Sequence, residues 1–270
     1  GRDDEVATII TAFDRAATAD AELLLVNGAP GVGKSALVHE VHQPVTERRG
    51  NFVSGKFDQY QRDVPFYAWM LAFQDFCNLL LQEDESSLEK WRTRILAGIG
   101  NLGRVLTDVV PSIELIIGPQ PMVSPLAGEQ ALNRLNYVFG NFIKAISTRE
   151  HPLVVFIDDW QWADSGSLSL LRFIMSGNRC SHLLVICAYR DSEVGATHPL
   201  SLALADITRN GGTASTIHLQ NLAADNVHQL IGDALGNAPG LEELSRLAYE
   251  KTQGNAFFLV QLLNDLHERS

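Results

Sequence analysis

The sequence predicts an α/β fold, a mainly parallel sheet with helices on both faces. Three observations carry this. Short strand-like runs at 22–27, 51–54, 153–157, 183–189 and 215–219 alternate with segments of helical periodicity. The central runs are continuously apolar and rich in β-branched residues, as strands buried on both faces must be. The first run also feeds through a glycine-rich turn straight into a helical pattern.

The chain begins with an amphipathic helix over 4–18, with Val6, Ile9, Ile10 and Phe13 on one face. Leu23-Leu24-Leu25-Val26 forms the core of the first strand. The turn that follows, Gly28-Ala29-Pro30-Gly31-Val32-Gly33-Lys34-Ser35, matches G-x-x-x-x-G-K-[ST], the phosphate-binding P-loop, in the strand–loop–helix context the motif needs. Glycines let backbone N–H groups approach phosphate oxygens, because no Cβ stands in the way. A helix from 33 to 47, opening with Ala36, Leu37 and Val38, turns its positive dipole end towards the same anion. Ala29 to Ala36 are thus candidate nucleotide contacts. Lys34 is placed for the β and γ phosphates, and the Ser35 hydroxyl for Mg²⁺.

The second strand is Asn51-Phe52-Val53-Ser54. The stretch 60–150 is mostly helical in spacing, at 66–81, 88–99 and 130–146, and Pro119, Pro121 and Pro125 break it into a loop. Within it 66–73 reads as a core helix, 85–128 as an insertion of unassigned role, and Glu83-Asp84-Glu85 as a solvated turn. A helix at 165–176 with Ser165 as its cap follows the third strand, and a helix at 199–209 leads to the last. From Ala223 onward the pattern is helical, with Asp225 near a cap.

Leu153-Val154-Val155-Phe156-Ile157-Asp158-Asp159 is an apolar strand ending in two acids, the form of a Walker B segment. Open α/β sheets bind ligands at the carboxyl ends of their strands, so Asp158 falls beside the P-loop, where it orients Mg²⁺ together with Ser35. Asp159 is placed to polarise the attacking water. Arg190, directly after the fourth strand, reaches the γ-phosphate from the same edge and is the third catalytic candidate. The competing structural readings are acids that cap a helix and an arginine exposed in a loop.

The net charge of −11 argues against nonspecific nucleic-acid or anionic-membrane binding. No apolar run reaches the roughly 18 residues of a membrane helix. Cys77, Cys180 and Cys187 are scattered without CxxC spacing, which fits core packing in a reducing cytoplasm. His39 and His42 lack further ligands nearby for a metal site. Trp160 and Trp162 are expected to pack beneath the site. The chain opens on Gly1, so a fragment of a longer protein is expected.

Several segments together resemble the STAND class of signal-transduction ATPases within the AAA superfamily. Asp158-Asp159-Trp160-Gln161-Trp162-Ala163-Asp164 is similar to its DDLQWAD form of Walker B, and Gly1-Arg2-Asp3-Asp4-Glu5 to its GRExE box. Ser54 to Arg62 resembles an SGKFDQ stretch, and Lys251 to Leu259 a KTQGNPFFL segment, of the predicted ATPase module of bacterial multi-domain sensor kinases. The resemblance implies a P-loop NTPase sheet in the order 5-1-4-3-2, with residues 1–220 as the nucleotide-binding domain, a helical insertion at 60–150 and a truncated helical lid at 221–270. It implies that Arg2 and the Gly254-Asn255-Ala256 turn flank adenine, although Ala256 stands where the family has proline. It also implies a cytoplasmic module with ATP or ADP and Mg²⁺ as cofactors. Its partners would be the other domains of a larger signalling protein, with nucleotide-dependent self-association. The function expected is a switch that hydrolyses ATP slowly, whose lid opens when ATP replaces ADP. The alternatives are a nucleotide-gated scaffold with little hydrolysis, a DNA-remodelling motor disfavoured by the acidic charge, and a small-molecule phosphotransferase lacking any acceptor signal.

Overall fold

The computed structural model describes residues 1–61, 64–176, 180–235 and 240–268. Arg62, which closes the SGKFDQ-like stretch, and residues 236–239 and 269–270 of the expected lid lie outside the described residues.

Five strands, β1 (Glu22–Gly28), β2 (Asn51–Lys56), β3 (Leu153–Asp158), β4 (Leu183–Arg190) and β5 (Ala214–Leu219), form one sheet in the order β2-β3-β4-β1-β5. Every pairing is parallel, and the order is the 5-1-4-3-2 that the resemblance implied. Register brings the strand ends together: Gly28 lies opposite Arg190 and Leu219, and Lys56 opposite Asp158.

Side chains alternate across the sheet, so each strand feeds two cores. Leu24, Val26, Val154, Phe156, Leu184 and Ile186 face one cluster, under α1 (Asp3–Ala16), α2 (Lys34–Glu40) and α3 (His42–Glu47). Leu23, Leu25, Val155, Ile157, Val185 and Cys187 face the other and larger cluster. Over it lie the helices of the 60–150 segment: α4 (Tyr67–Leu80), α5 (Glu85–Ile99), α6 (Gly103–Val109), α7 (Glu114–Ile117) and α8 (Gly128–Ile146). In α4 the buried residues Trp69, Ala72, Phe73, Phe76 and Leu80 recur at helical spacing, as do Phe139, Phe142, Ile143 and Ile146 in α8. The two stripes interlock, with Phe73 edge-on to Phe142 at 5.1 Å. The helices of this segment are thus the apolar cover of one sheet face, and the core helix expected at 66–73 starts at Tyr67, with Phe66 in the left-handed region before it. The helices α9 (Ser165–Met175) and α10 (Pro199–Arg209) complete that layer.

After β5 come α11 (Ala224–Leu235), α12 (Leu241–Thr252) and α13 (Ala256–Glu268), around a small third cluster of Leu222, Val227, Ile231, Ala248 and Leu259.

Three local expectations are corrected. The helix expected over 33–47 is two helices broken at Val41, because Pro44 has no N–H for the Glu40 carbonyl and its ring crowds that oxygen. The cap of α9 is Asp164, not Ser165: the Asp164 carboxylate accepts from the Ser167 N–H at 2.9 Å and the Ser167 hydroxyl at 2.6 Å, and Ser165 is the first helical residue. Asp84 likewise caps α5, accepting from the Ser86 and Ser87 N–H groups, so Glu83-Asp84-Glu85 is a helix start rather than a plain turn. The hydroxyls and amides of those two serines hold the Asp84 carboxyl down at about 2.

Candidate functional site

The P-loop turns between β1 and α2 at the carboxyl edge of the sheet. Gly31 and Gly33 adopt φ of +76° and +99°, values that side-chain-bearing residues rarely take. Gly31 is also tightly covered: a Cβ there would lie 2.7 Å from Asn255 Oδ1. Lys34 is 8 % exposed and its Nζ donates to the carbonyls of Gly28 at 2.9 Å and Ala29 at 3.0 Å. Two of its three protons are engaged, which leaves one for an anion. Burial lowers the Lys34 pKa, against the opposing pull of Asp158 and Asp159.

Ser35 Oγ donates to Asp158 Oδ2 at 2.5 Å. A hydroxyl and a carboxylate converging on one point are hard oxygen donors of the kind Mg²⁺ takes, so the residues present fit that ion. Asp158 Oδ1 accepts from the Asp159 N–H at 2.8 Å. Asp159 itself sits at φ +56°, in the left-handed region that Asp tolerates better than most residues. That bend ends β3 and turns the chain into the short 3-10 turn Trp160–Trp162.

Asp159 is 4 % exposed and its carboxylate is engaged on both oxygens. Oδ1 accepts from Gln161 Nε2 at 2.7 Å and lies 3.6 Å from Arg190 Nε. Oδ2 lies 2.9 Å from Lys56 Nζ. Gln161 Oε1 in turn accepts from the Arg190 N–H at 3.2 Å, which ties the 3-10 turn after β3 to the end of β4. The Arg190 guanidinium bonds Glu193 at 2.8 Å and lies 5.0 Å above the Trp162 ring. Burial works to lower the Lys56 pKa, but the hydrogen bond to Asp159 and the charges of both acids overcome it, and the value is raised. Trp160 is fully buried beneath the site, edge-on to Phe57 and Trp69.

Pro30, Gly31, Gly33, Lys34, Ser35, Ala36, Asp158, Asp159, Arg190 and Ala256 therefore meet around one cavity of about 560 Å³, with Lys56, Phe257 and Val260 completing its wall. A second cavity of about 410 Å³ shares Gly33, Ala36 and Ala256 with it and extends past Arg2, Val32, Leu222, Asn226 and Leu230. Ala29 lines neither; its carbonyl holds Lys34. Arg2 borders the second cavity, with its guanidinium donating to the carbonyls of Val32 at 3.3 Å and Gln220 at 2.6 Å and to Glu5. Asn255 is buried and directed at the P-loop: Nδ2 donates to the Pro30 carbonyl at 3.0 Å, beside a bond from the Phe257 N–H to the Gly31 carbonyl at 2.9 Å.

Two site residues, Lys56 and Gln161, escaped the sequence reading except as letters in a motif. Their signal was position: one ends a strand beside the Walker B strand, and the other follows its second acid.

A family model described as AAA ATPase domain matches residues 1–186. The chain belongs to the AAA ATPase domain family. It is a P-loop ATPase module of the nucleotide-binding kind. Among curated proteins, a hybrid signal transduction histidine kinase G of Dictyostelium discoideum is 26 % identical over 333 residues, covering 100 % of this chain and 10 % of its own length. Histidine protein kinase 1 of Candida albicans is 22 % identical over 166 residues, covering 56 % of this chain and 7 % of its own. The chain thus spans a tenth or less of these relatives. Among solved structures, a signal transduction ATPase with numerous domains and a tetratricopeptide repeat sensor from Pyrococcus horikoshii is similar, with 14 % identity, TM-score 0.44, and coverage of 96 % of this chain and 28 % of that one. Cdc6p of Pyrobaculum aerophilum gives 10 % identity, TM-score 0.49, and coverage of 86 % and 48 %. No helix among the described residues is long and apolar enough to cross a membrane.

Proposed function

We propose that this AAA domain is an ATP/ADP-operated switch of the STAND type, with slow ATP hydrolysis, inside a larger signalling protein. One observation carries the reading. Asn255, just before α13, and Phe257, in its first turn, are bonded to the Pro30 and Gly31 carbonyls of the P-loop, while Ala256, Phe257 and Val260 line the same cavity as Lys34, Asp158 and Arg190. The helices α11–α13 then act as a lid whose seat is the phosphate loop itself, so a change in phosphate occupancy is felt at the lid hinge. The phosphates would lie in the larger cavity and the base and ribose in the second, which opens beside them.

In this reading the P-loop N–H groups and Lys34 hold the β and γ phosphates, and Ser35 and Asp158 would hold Mg²⁺, which neutralises phosphate charge when bound. Asp159 accepts a proton from the water whose oxygen bonds the γ-phosphorus, as the bridging P–O bond breaks and its electron pair leaves on ADP. Arg190 balances charge on the transferring phosphoryl group. The kinase names of the relatives support a place within a regulatory protein of many domains, as does the half-exposed apolar surface of Phe257, Phe258 and Val260, which would find new neighbours when the lid moves.

A second reading, a nucleotide-gated scaffold that hardly hydrolyses, is favoured by the engagement of both Asp159 oxygens. The deciding experiment measures nucleotide released on denaturing the purified protein, together with steady-state phosphate release. Bound ADP with turnover that Asp159→Asn removes supports the switch. Bound nucleotide with no turnover in wild type selects the scaffold, and a protein that neither carries nor binds nucleotide rejects both.

A further inference from the structure

Lys56 is the least committed cation at the site. Lys34 is tied to two carbonyls, and Arg190 is held by Glu193 and the Trp162 ring. Lys56 has ion pairs only to the two acids among the described residues, at 2.9 Å from Asp159 Oδ2 and 3.9 Å from Asp158 Oδ2. Its side chain is 62 % exposed, so the stem is not locked by packing. A lysine ammonium on a four-carbon stem, with three rotatable donors, moves readily from one anion to another. Its place is fixed by register, because it ends β2 directly opposite Asp158.

The cavity wall carries three cations, Lys34, Lys56 and Arg190, against two carboxylates, Asp158 and Asp159. Arg190 is matched by Glu193 just outside that wall, which leaves Lys34 and Lys56 as the cations with donors to spare for an anion, and Lys56 belongs to β2 rather than to the P-loop. The geometry points to Lys56 as a γ-phosphate contact that changes partner: it pairs with Asp159 when the site holds a diphosphate and moves to the terminal phosphate of a triphosphate. The move does two things at once. It adds a charge-assisted bond that only the triphosphate can make. It also frees Asp159 Oδ2, so that the carboxylate accepts a water proton only when there is a γ-phosphate to attack. The idle state of the scaffold reading and the turnover of the switch reading thereby become two positions of one side chain.

The inference rests on the nucleotide-binding reading above, and its test separates the two. Affinities for ADP and for a nonhydrolysable ATP analogue, both with Mg²⁺, are measured by calorimetry for wild type, Lys56→Ala and Lys56→Arg. The expected result is about a tenfold loss of preference for the triphosphate in Lys56→Ala, with ADP affinity within twofold of wild type. Lys56→Arg, which keeps the charge, should recover much of the preference. Parallel loss of both nucleotides would reveal a merely structural role, and an unchanged ratio in Lys56→Ala would place the γ-phosphate elsewhere; either overturns the inference while leaving nucleotide binding intact. A wild type that binds neither nucleotide overturns both.

Discussion

At the residue scale the site is defined by how its charged groups are already occupied. Lys34 leaves one proton unused, and Asp159 is held by donors on both oxygens. Lys34→Ala removes a charge-assisted phosphate contact worth about 1.5–3 kcal/mol, so Mg-ATP should bind roughly ten- to a hundredfold more weakly by calorimetry; wild-type affinity would remove Lys34 from the site. Asp159→Asn keeps the size and one acceptor oxygen, turns the other acceptor into a donor facing Gln161 or Lys56, and loses the base. Turnover should fall by about 10²–10⁴-fold with nucleotide affinity little changed, and undiminished phosphate release would assign the water to another group. Lys34, Ser35 and Asp158 were legible in the sequence because the backbone alone sets their spacing: a loop of fixed length, then a helix, and a strand end at the same sheet edge. Lys56 and Gln161 were not, because each reaches Asp159 through strand register or a 3-10 turn, and neither leaves a period or spacing along the chain.

At the element scale, strands and long helices followed from apolar runs and helical stripes, and their ends did not. Pro44 broke a helix whose apolar pattern ran on, and the caps fell to Asp164 and Asp84, whose short carboxylates reach the free N–H groups of the next turn. The start of α13 is the element boundary that matters most for function. Asn255 bonds the Pro30 carbonyl and also accepts from the Phe258 N–H at 3.3 Å, so one side chain both seats the helix on the P-loop and caps it. Asn255→Ala should cost about 1 kcal/mol and raise the dissociation rate of a fluorescent ADP severalfold in stopped-flow; an unchanged rate would show that the seat does not govern lid opening. Ala256 is the first residue of α13, a position where proline's missing N–H leaves no helical bond unmade. Ala256→Pro should therefore fold, gain about 0.4–1 kcal/mol in thermal unfolding, and slow ADP release by stiffening the turn. A strongly lowered melting temperature would mean that the backbone there does not accept the proline angle.

At the scale of the whole molecule, stability is unevenly distributed. The two sheet faces share large apolar clusters fed by alternate residues of the same strands, while α11–α13 rest on a cluster of five buried side chains among the described residues. A small core with few buried contacts opens at lower free energy than the sheet it adjoins. Beyond that core, two bonds among the described residues join α13 and the turn before it to the P-loop, Asn255 Nδ2 to the Pro30 carbonyl and the Phe257 N–H to the Gly31 carbonyl, and the Leu222 N–H to Gly254 carbonyl bond at 2.8 Å ties the segment after β5 to that same turn. Every one of these ends on the phosphate loop, on the strand-to-lid connection or on the turn before α13. A ligand that fixes the phosphate loop thus adds to the stability of α11–α13 through mass action. Hydrogen exchange should then show amides of α11–α13 exchanging well ahead of β1, β3 and β4 in the nucleotide-free protein, and ADP should slow the lid more than it slows the sheet. A nonhydrolysable ATP analogue should protect the P-loop yet leave α13 faster than ADP does, because the extra phosphate changes the cavity wall that α13 completes. Equal protection of α13 by both nucleotides would show that the lid responds to occupancy of the site but does not read the γ-phosphate, and the switch would then need another moving element.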